Sequence, residues 1–225
     1  MSQSRCPFGR LVAALADLVG PDRCVECGVA CSGFVCEGCE RDRPLQDPGE
    51  ALVSGVPVLA AARYAPPVSV AVRRLKYERR PDLARSLAEL LAPRIAASSL
   101  GADEVLIPVP LHPKRLAQRG YNQSALLARQ LSLHTRGRCA PLALARVRDT
   151  PQLAGKPRET RAASLGGAII ARTPGVWRGR RVVVVDDVVT TGATAAACIH
   201  ALRQAGASVV AVAAVARAVT PGEDV

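Results

Sequence analysis

Two adjacent acids, Asp186 and Asp187, follow a run of four valines and precede a turn rich in threonine. Four consecutive valines predict a strand buried on both faces, and open α/β sheets bind ligands outside the carboxyl ends of such strands. The turn then opens a predicted helix, whose first backbone N–H groups are unpaired and favour a phosphate. The residues of this turn are Thr190, Thr191, Gly192, Ala193 and Thr194.

The two acids and the turn suit a single ligand if that ligand also carries hydroxyl groups and a cation. Carboxylates accept hydrogen bonds from ribose hydroxyls, and Mg²⁺ can bridge such hydroxyls and a pyrophosphate. The alternative is a buried strand followed by an ordinary Asp/Thr helix cap. That alternative explains each residue type separately, but not the fixed distance between the acids and the turn. We therefore predict a site for a sugar phosphate and Mg²⁺ here.

Six of the eight cysteines lie within the first 39 residues. Cys24 and Cys27 form one C-x2-C pair, and Cys36 and Cys39 form a second. Two such pairs can close a tetrahedral shell of four thiolates around Zn²⁺, so we predict a structural zinc site. A disulfide staple or free thiols are the alternatives, and Cys31, between the pairs, could replace one ligand.

The chain has 225 residues, of which 49% are apolar and only 3% aromatic, so its core must consist mainly of Ala, Val and Leu. The formal net charge of +11 favours partners that carry phosphate, nucleic acid among them. No apolar run reaches the roughly 20 residues of a membrane span. The apolar stretch at residues 11–16 is shorter than the core of a signal peptide. It predicts a short amphipathic helix, and we expect a cytoplasmic protein.

After the cysteine cluster, short apolar strands alternate with helices, which predicts a mostly parallel, doubly wound sheet. We divide the chain into residues 1–50, which hold a helix, the zinc module and a linker, and residues 51–225, which hold the α/β domain. Helices are expected at residues 82–97, with Asp82 as N-cap, and at 122–133 and 194–204. Strands are expected at residues 55–64, 105–110, 142–146, 167–172, 181–185 and 208–215.

Residues 182–194 resemble the 5-phosphoribosyl-1-pyrophosphate (PRPP) motif of type I phosphoribosyltransferases: four apolar residues, two acids, then a Thr/Gly turn. Residues 107–116 and 119–123, the tripeptide Leu75-Lys76-Tyr77 and the cysteine cluster narrow this resemblance to the ComF family. The resemblance implies a type I phosphoribosyltransferase-like fold, with a doubly wound, mostly parallel sheet and a small N-terminal four-cysteine zinc module.

The resemblance also implies roles for single residues. Asp186 and Asp187 would contact the ribose hydroxyls, directly or through Mg²⁺, and residues 190–194 would hold the 5-phosphate. The position of the pyrophosphate loop falls on Val109, Pro110 and Leu111. Contacts to pyrophosphate or to a partner are expected from Lys114, Arg115, Arg119 and Asn122. Residues 148–161, with Lys156 and Arg158, are expected to form a mobile loop that covers the site.

The function implied by the resemblance is transfer of phosphoribosyl from PRPP to an acceptor that the sequence does not specify, with a link to DNA uptake. The alternative is a non-catalytic, PRPP-responsive protein that binds single-stranded DNA or acts as an adaptor in DNA uptake and processing. Both functions require PRPP and Mg²⁺ at the acidic pair, and they differ in whether a reaction follows.

Overall fold

A computed structural model of the chain describes residues 23–98, 100–101, 103–135, 137–149 and 167–219. The chain divides into two compact units, residues 1–44 and 45–225. We expected this boundary near residue 50. Residues 45–50 belong to the larger unit because their carbonyls accept hydrogen bonds from it. The N–H of Arg63 donates to Gln46 at 2.9 Å, and Nε of Arg217 donates to Pro48 at 2.6 Å.

The described part of the smaller unit, residues 23–44, consists of tight turns and one short helix, α1 (Glu37–Asp42). The first turn is closed by the N–H of Gly28, which donates to the carbonyl of Cys24 at 2.9 Å. The N–H of Val25 donates to the carbonyl of Phe34 at 2.8 Å, and both of these apolar side chains are buried. These contacts bring the two C-x2-C pairs together.

The larger unit contains eight described strands. In chain order they are β1 (Leu52–Val53), β2 (Val56–Arg63), β3 (Val105–Pro108), β4 (Arg138–Cys139), β5 (Leu144–Arg146), β6 (Ile169–Ala171), β7 (Arg181–Val189) and β8 (Ser208–Arg217). Six of them form one sheet in the order β1-β2-β8-β7-β3-β4, and β5 and β6 form a separate antiparallel pair. Within the large sheet only the β1–β2 pairing is antiparallel. The mostly parallel sheet is therefore confirmed.

Helices cover both faces of this sheet. They are α2 (Val68–Tyr77), α3 (Leu83–Ala96), α4 (Pro113–Arg119), α5 (Gln123–Thr135) and α6 (Ala193–Gln204). On one face, Ile199 and Leu202 of α6 share a buried core cluster with Val182 and Val184 of β7. On the other face, α3 and α5 contact each other and the central strands. Within the described part of the chain, every helix is too short or too polar to cross a lipid bilayer.

Two local expectations need correction. The strand expected at residues 181–185 continues to Val189, because Asp186 and Val188 stay paired with β8. Asp82 does precede α3, but its side chain does not cap the helix. Its carboxylate instead accepts hydrogen bonds from the guanidinium of Arg80, the shortest at 2.6 Å.

Candidate functional site

The acidic pair lies where β3 has ended and β7 continues. Pro108, the last residue of β3, pairs with Val185, so Asp186 and Asp187 stand one and two residues beyond this ladder. Toward β8, strand β7 remains paired through Val189. The acids are therefore at the carboxyl edge of the sheet, where doubly wound folds bind ligands. Both residues are buried, with 8% and 3% of their surface exposed.

Each acid takes a partner from a different helix. Oγ of Ser124, in α5, donates to Oδ1 of Asp186 at 3.1 Å, and the N–H of Asp187 donates to the same oxygen at 2.9 Å. Nζ of Lys76, in α2, lies 2.8 Å from Oδ1 of Asp187. The second oxygen of Asp187, Oδ2, is buried and has no hydrogen-bond partner among the described residues.

The two carboxyl groups differ in their electrostatics. Burial and the neighbouring charge of Asp187 raise the pKa of Asp186 to about 7, although Lys76 and the hydrogen bond from Ser124 act in the opposite direction. Burial alone would lower the pKa of Lys76, but the two acids raise it above its ordinary value. The site thus holds a buried Lys76–Asp187 ion pair beside a carboxyl group that loses its proton only near neutral pH.

The turn after β7 presents the N-terminus of α6. Gly192 precedes this helix with a left-handed φ of 73° and, lacking a side chain, gives the helix no side-chain cap. A Cβ atom at Gly192 would lie 2.7 Å from Cγ2 of Val53 in β1, so both the space and the backbone conformation require glycine. Among the described residues the first N–H groups of α6 have no side-chain acceptor, as at helix termini that bind phosphate.

The segment after β3 is held against β7 by Asn122. The N–H of Val109 donates to the carbonyl of Val185 at 2.9 Å, and Nδ2 of Asn122 donates to the carbonyl of Val109 at 2.9 Å. Oδ1 of Asn122 also accepts from the N–H of Ser124 at 3.0 Å, at the start of α5. Asn122 therefore positions both the expected pyrophosphate loop, residues 109–111, and the helix that carries Ser124.

The basic residues of α4 occupy different surroundings. Lys114 is 75% exposed, with its Nζ 3.9 Å from Oδ2 of Asp149, whereas Arg115 is half-buried. The guanidinium of Arg119 lies over the ring of Tyr77, 5.4 Å from its centroid, and donates to Oε1 of Gln123. Whether these three cations contact a ligand stays a prediction.

A further contact ties the end of α2 to the region after α4. The hydroxyl of Tyr121 donates to the carbonyl of Leu75 at 2.6 Å, next to Lys76. This bond holds the backbone before Lys76, and the contact between Arg119 and the Tyr77 ring holds the side chain after it. Tyr121 therefore helps to place the ammonium group at the acidic pair.

The four cysteines of the smaller unit form one cluster. The Sγ atoms of Cys24, Cys27, Cys36 and Cys39 all lie within 4.8 Å of one another. Cys31 is not among them, and its thiol donates instead to the carbonyl of Gly33 at 3.0 Å. Four sulfurs from two C-x2-C pairs are a donor set that fits a closed tetrahedral Zn²⁺ site.

The cluster favours at least one thiolate. Burial would raise the pKa of Cys24, but the backbone N–H groups of Cys27, Cys36 and Glu26 lower it to about 6. The pKa of Cys39 is raised instead, chiefly by its hydrogen bond to Cys27. Thiolates are the form in which cysteines bind metals, so donors directed at Cys24 suit a ligand role.

Comparison with known proteins agrees with this geometry. A family model described as phosphoribosyl transferase domain matches residues 117–224. The DNA utilization protein YhgH of Escherichia coli O6:H1 is 34% identical over 193 residues, which cover 83% of this chain and 80% of that protein. The chain belongs to the ComF family. Competence protein F of Haemophilus influenzae is 32% identical over 202 residues, which cover 87% of this chain and 84% of that protein.

Among solved structures, the crystal structure of TT1426 from Thermus thermophilus covers 63% of this chain and 85% of its own, with a TM-score of 0.37 and 18% identity. That likeness is too low to carry an argument. The phosphoribosyl transferase match of this ComF-family chain includes the acidic pair, the turn and α6, but begins after Lys76.

Two residues at the acidic pair, Lys76 and Ser124, were not among the predicted site residues. Lys76 is one of only three lysines and lies in a tripeptide already tied to the ComF resemblance, a signal that could have identified it. Ser124 has no distinguishing signal, because a serine near a helix start usually caps that helix. Lys156 and Arg158, expected in a covering loop, lie outside the described residues.

The raised pKa of Asp186 makes stability depend on pH. Between about pH 4 and pH 7 the folded chain holds a proton on Asp186 that the unfolded chain releases, so this stabilising contribution is lost as the pH rises. Asp186→Asn removes the titration. The quantity to follow is the free energy of unfolding of the variant minus that of the wild type. We expect this difference to increase by on the order of 2 kcal/mol from pH 5 to pH 8.

Urea denaturation at several pH values, without added divalent metal, measures this difference. Asp47→Asn is the matched control, because the Asp47 side chain is 81% exposed. A difference between Asp186→Asn and wild type that stays constant with pH would contradict the burial of an ionisable carboxyl group at position 186.

Proposed function

We propose that this ComF-family protein binds PRPP with Mg²⁺ at the acidic pair and transfers the phosphoribosyl group to an acceptor. The observation that carries the proposal is the continuous unit of β7, turn and α6. It joins two buried carboxyl groups to a helix N-terminus that Gly192 leaves without a side-chain cap, at the carboxyl edge of a parallel sheet. A sugar phosphate needs both halves, because hydroxyl groups require acceptors and the phosphate requires N–H donors.

The donor set at the acidic pair fits Mg²⁺. This ion prefers carboxylate oxygens and retains several waters and substrate oxygens. Oδ2 of Asp187, buried without a hydrogen-bond partner among the described residues, is an acceptor of this kind. When bound, the ion would neutralise the pyrophosphate as it departs.

The residues of the chain would contribute mainly position and charge. Asp186 and Asp187 would orient the ribose by accepting from its hydroxyls, and the first turn of α6 would hold the 5-phosphate. Asn122 would hold the segment at Val109 beside the pyrophosphate. Transfer of this kind needs little covalent help from the protein, since positioning and electrostatic stabilisation lower most of the barrier.

Calorimetric titration of PRPP, with and without Mg²⁺, tests the site. We expect metal-dependent binding to the wild type. The double variant Asp186→Asn, Asp187→Asn should lose at least tenfold in affinity, because the ribose and metal contacts lose their charge. Asp47→Asn, an exposed substitution of the same kind, should bind as the wild type does.

PRPP affinity that is unchanged in the folded double variant would refute the proposed site. If the wild type binds PRPP and the double variant does not, release of pyrophosphate on addition of a panel of amines and bases identifies the acceptor.

A second candidate function is PRPP-responsive binding of single-stranded DNA without catalysis. It is favoured by Tyr77, which is 61% exposed under the guanidinium of Arg119, in a basic stretch that also contains Arg73 and Arg79. Aromatic rings and guanidinium groups stack on unpaired bases, while nearby cations contact phosphates. The names of the two relatives, DNA utilization protein and Competence protein F, suit this candidate.

Binding of a single-stranded oligonucleotide, followed by fluorescence anisotropy, tests the second candidate. Affinity should fall by at least about tenfold between 50 and 200 mM salt if several phosphates are contacted. Tyr77→Ala should weaken binding about tenfold through lost stacking, and Leu133→Ala, at another exposed apolar residue, should not. A flat salt response would count against phosphate contacts.

We also propose that the four-cysteine cluster binds a structural Zn²⁺. About one equivalent of zinc should co-purify with the chain, since the donor set is a closed S4 shell. The double variant Cys24→Ser, Cys36→Ser should lose the metal, and its smaller unit should unfold. Cys139→Ser, which removes a thiol of the larger unit, should keep the metal and a folded smaller unit. Elemental analysis and limited proteolysis measure the two effects. A metal-free, protease-resistant smaller unit would contradict the proposal.

A further inference from the structure

Lys76 occupies a position at Asp187 that a cation would take. Its Nζ lies 2.8 Å from Oδ1 of Asp187, and the two side chains are only 19% and 4% exposed. A carboxylate this deeply buried is costly unless a positive charge compensates it. The ammonium group of Lys76 supplies that charge from within the chain.

The residues on either side of Lys76 are held by contacts with Tyr121 and Arg119, whereas Lys76 itself carries its charge at the end of a rotatable side chain. The carbonyl of Leu75 accepts from the hydroxyl of Tyr121 at 2.6 Å, and the ring of Tyr77 lies under the guanidinium of Arg119. Lysine has a compact charge on a flexible four-carbon stem. The ammonium group can therefore pivot while α2 stays in place.

A divalent ion at Asp187 would share one carboxylate with this ammonium group. Oδ1 is taken by Lys76, and Oδ2 is the oxygen without a hydrogen-bond partner in the described part of the chain. Oδ1 of the neighbouring Asp186 already accepts two hydrogen bonds. Two cations on one buried carboxylate repel each other strongly, because water screens little there.

We propose that Lys76 is the internal counterion of Asp187 and that its ammonium group competes with a divalent metal ion for this carboxylate. The metal ion then binds well only when an anionic phosphate ligand draws the ammonium group away from Asp187. The identity of that ligand rests on the proposed function, whereas the competition at Asp187 does not. Lys76 is then a positioning residue that couples metal binding to phosphate binding, so that each favours the other.

Mn²⁺ binding to the full chain, without any phosphate ligand, tests the competition through the spectroscopic signal of the free ion. Lys76→Gln removes the charge but keeps an amide donor for Asp187. We expect this variant to bind Mn²⁺ at least tenfold more tightly than the wild type, because the repelling charge is gone. Lys76→Arg, which keeps the charge, should bind as weakly as the wild type.

Two controls locate the effect. Arg85→Gln removes a positive charge from a side chain on α3 that is 75% exposed, and should leave Mn²⁺ affinity unchanged. Asp187→Asn combined with Lys76→Gln should abolish the gain, which places the ion at Asp187. Equal Mn²⁺ affinities of folded Lys76→Gln and wild type would overturn the proposal.

A second measurement needs no substitution at position 76 and applies even if those variants do not fold. The chain has three lysines, Lys76, Lys114 and Lys156, so ¹³Cε-lysine NMR gives three side-chain signals. Lys114→Arg and Lys156→Arg assign them. At Mg²⁺ concentrations that displace bound Mn²⁺, the Lys76 signal should shift and the Lys114 signal should not. An unmoved Lys76 signal would also overturn the proposal.

PRPP calorimetry separates this inference from the proposed function. If the wild type binds PRPP with Mg²⁺ while Lys76→Gln gains no Mn²⁺ affinity, only the competition fails. If Lys76→Gln gains Mn²⁺ affinity while no form of the chain binds PRPP, the proposed ligand fails and the competition stands.

Discussion

The larger unit must bury two adjacent carboxyl groups in a single strand, and several of its contacts exist to make this possible. A carboxylate that leaves water costs several kcal/mol unless a counterion or hydrogen bonds compensate it. Asp187 obtains a counterion from α2, and Asp186 obtains a hydroxyl donor from α5, 62 residues away along the chain. Asp186 additionally keeps its proton up to near neutral pH, which limits the charge that the site must hold.

This requirement explains why the elements around β7 are joined by side-chain hydrogen bonds as well as by packing. Asn122 holds the segment after β3 and caps the helix that carries Ser124, while Tyr121 holds the carbonyl before Lys76. Both partners of the acidic pair are thus placed by the same short stretch of chain, residues 121–124. A site built this way is preorganised in its two carboxyl groups, which already stand at fixed positions in the strand before a ligand arrives.

The turn that we propose as the phosphate site is shaped by a steric constraint. Gly192 is confined by Val53 of β1 and adopts a left-handed conformation, so the turn can approach β1 only with no side chain at this position. The chain contains few aromatic residues, which is compatible with close packing of its helices against the sheet. The central strand β8 buries Ala211, Ala213, Ala214 and Ala216 between the two helical layers. Small residues let those layers lie near the sheet and bring the start of α6 next to the acids.

Much of the fold and part of the site could be predicted from the sequence because the signals are local. The four valines, the acidic pair and the glycine turn are contiguous, and each C-x2-C pair is a short knuckle. Backbone conformation and residue spacing are enough to interpret such features. The extension of β7 to Val189 escaped this reasoning, because the pairing partner, β8, begins almost twenty residues later in the chain.

The sequence by itself determined the mostly parallel α/β unit, the cysteine cluster and the position of the acidic pair, all of which depend on short-range spacing. Only the tertiary structure decided which side chains meet those acids. Lys76 and Ser124 come from two helices packed by the strand order, and no periodicity links them to Asp187 or Asp186. The physical reason is that compensation of a buried charge depends on distance in space, which a one-dimensional pattern does not contain.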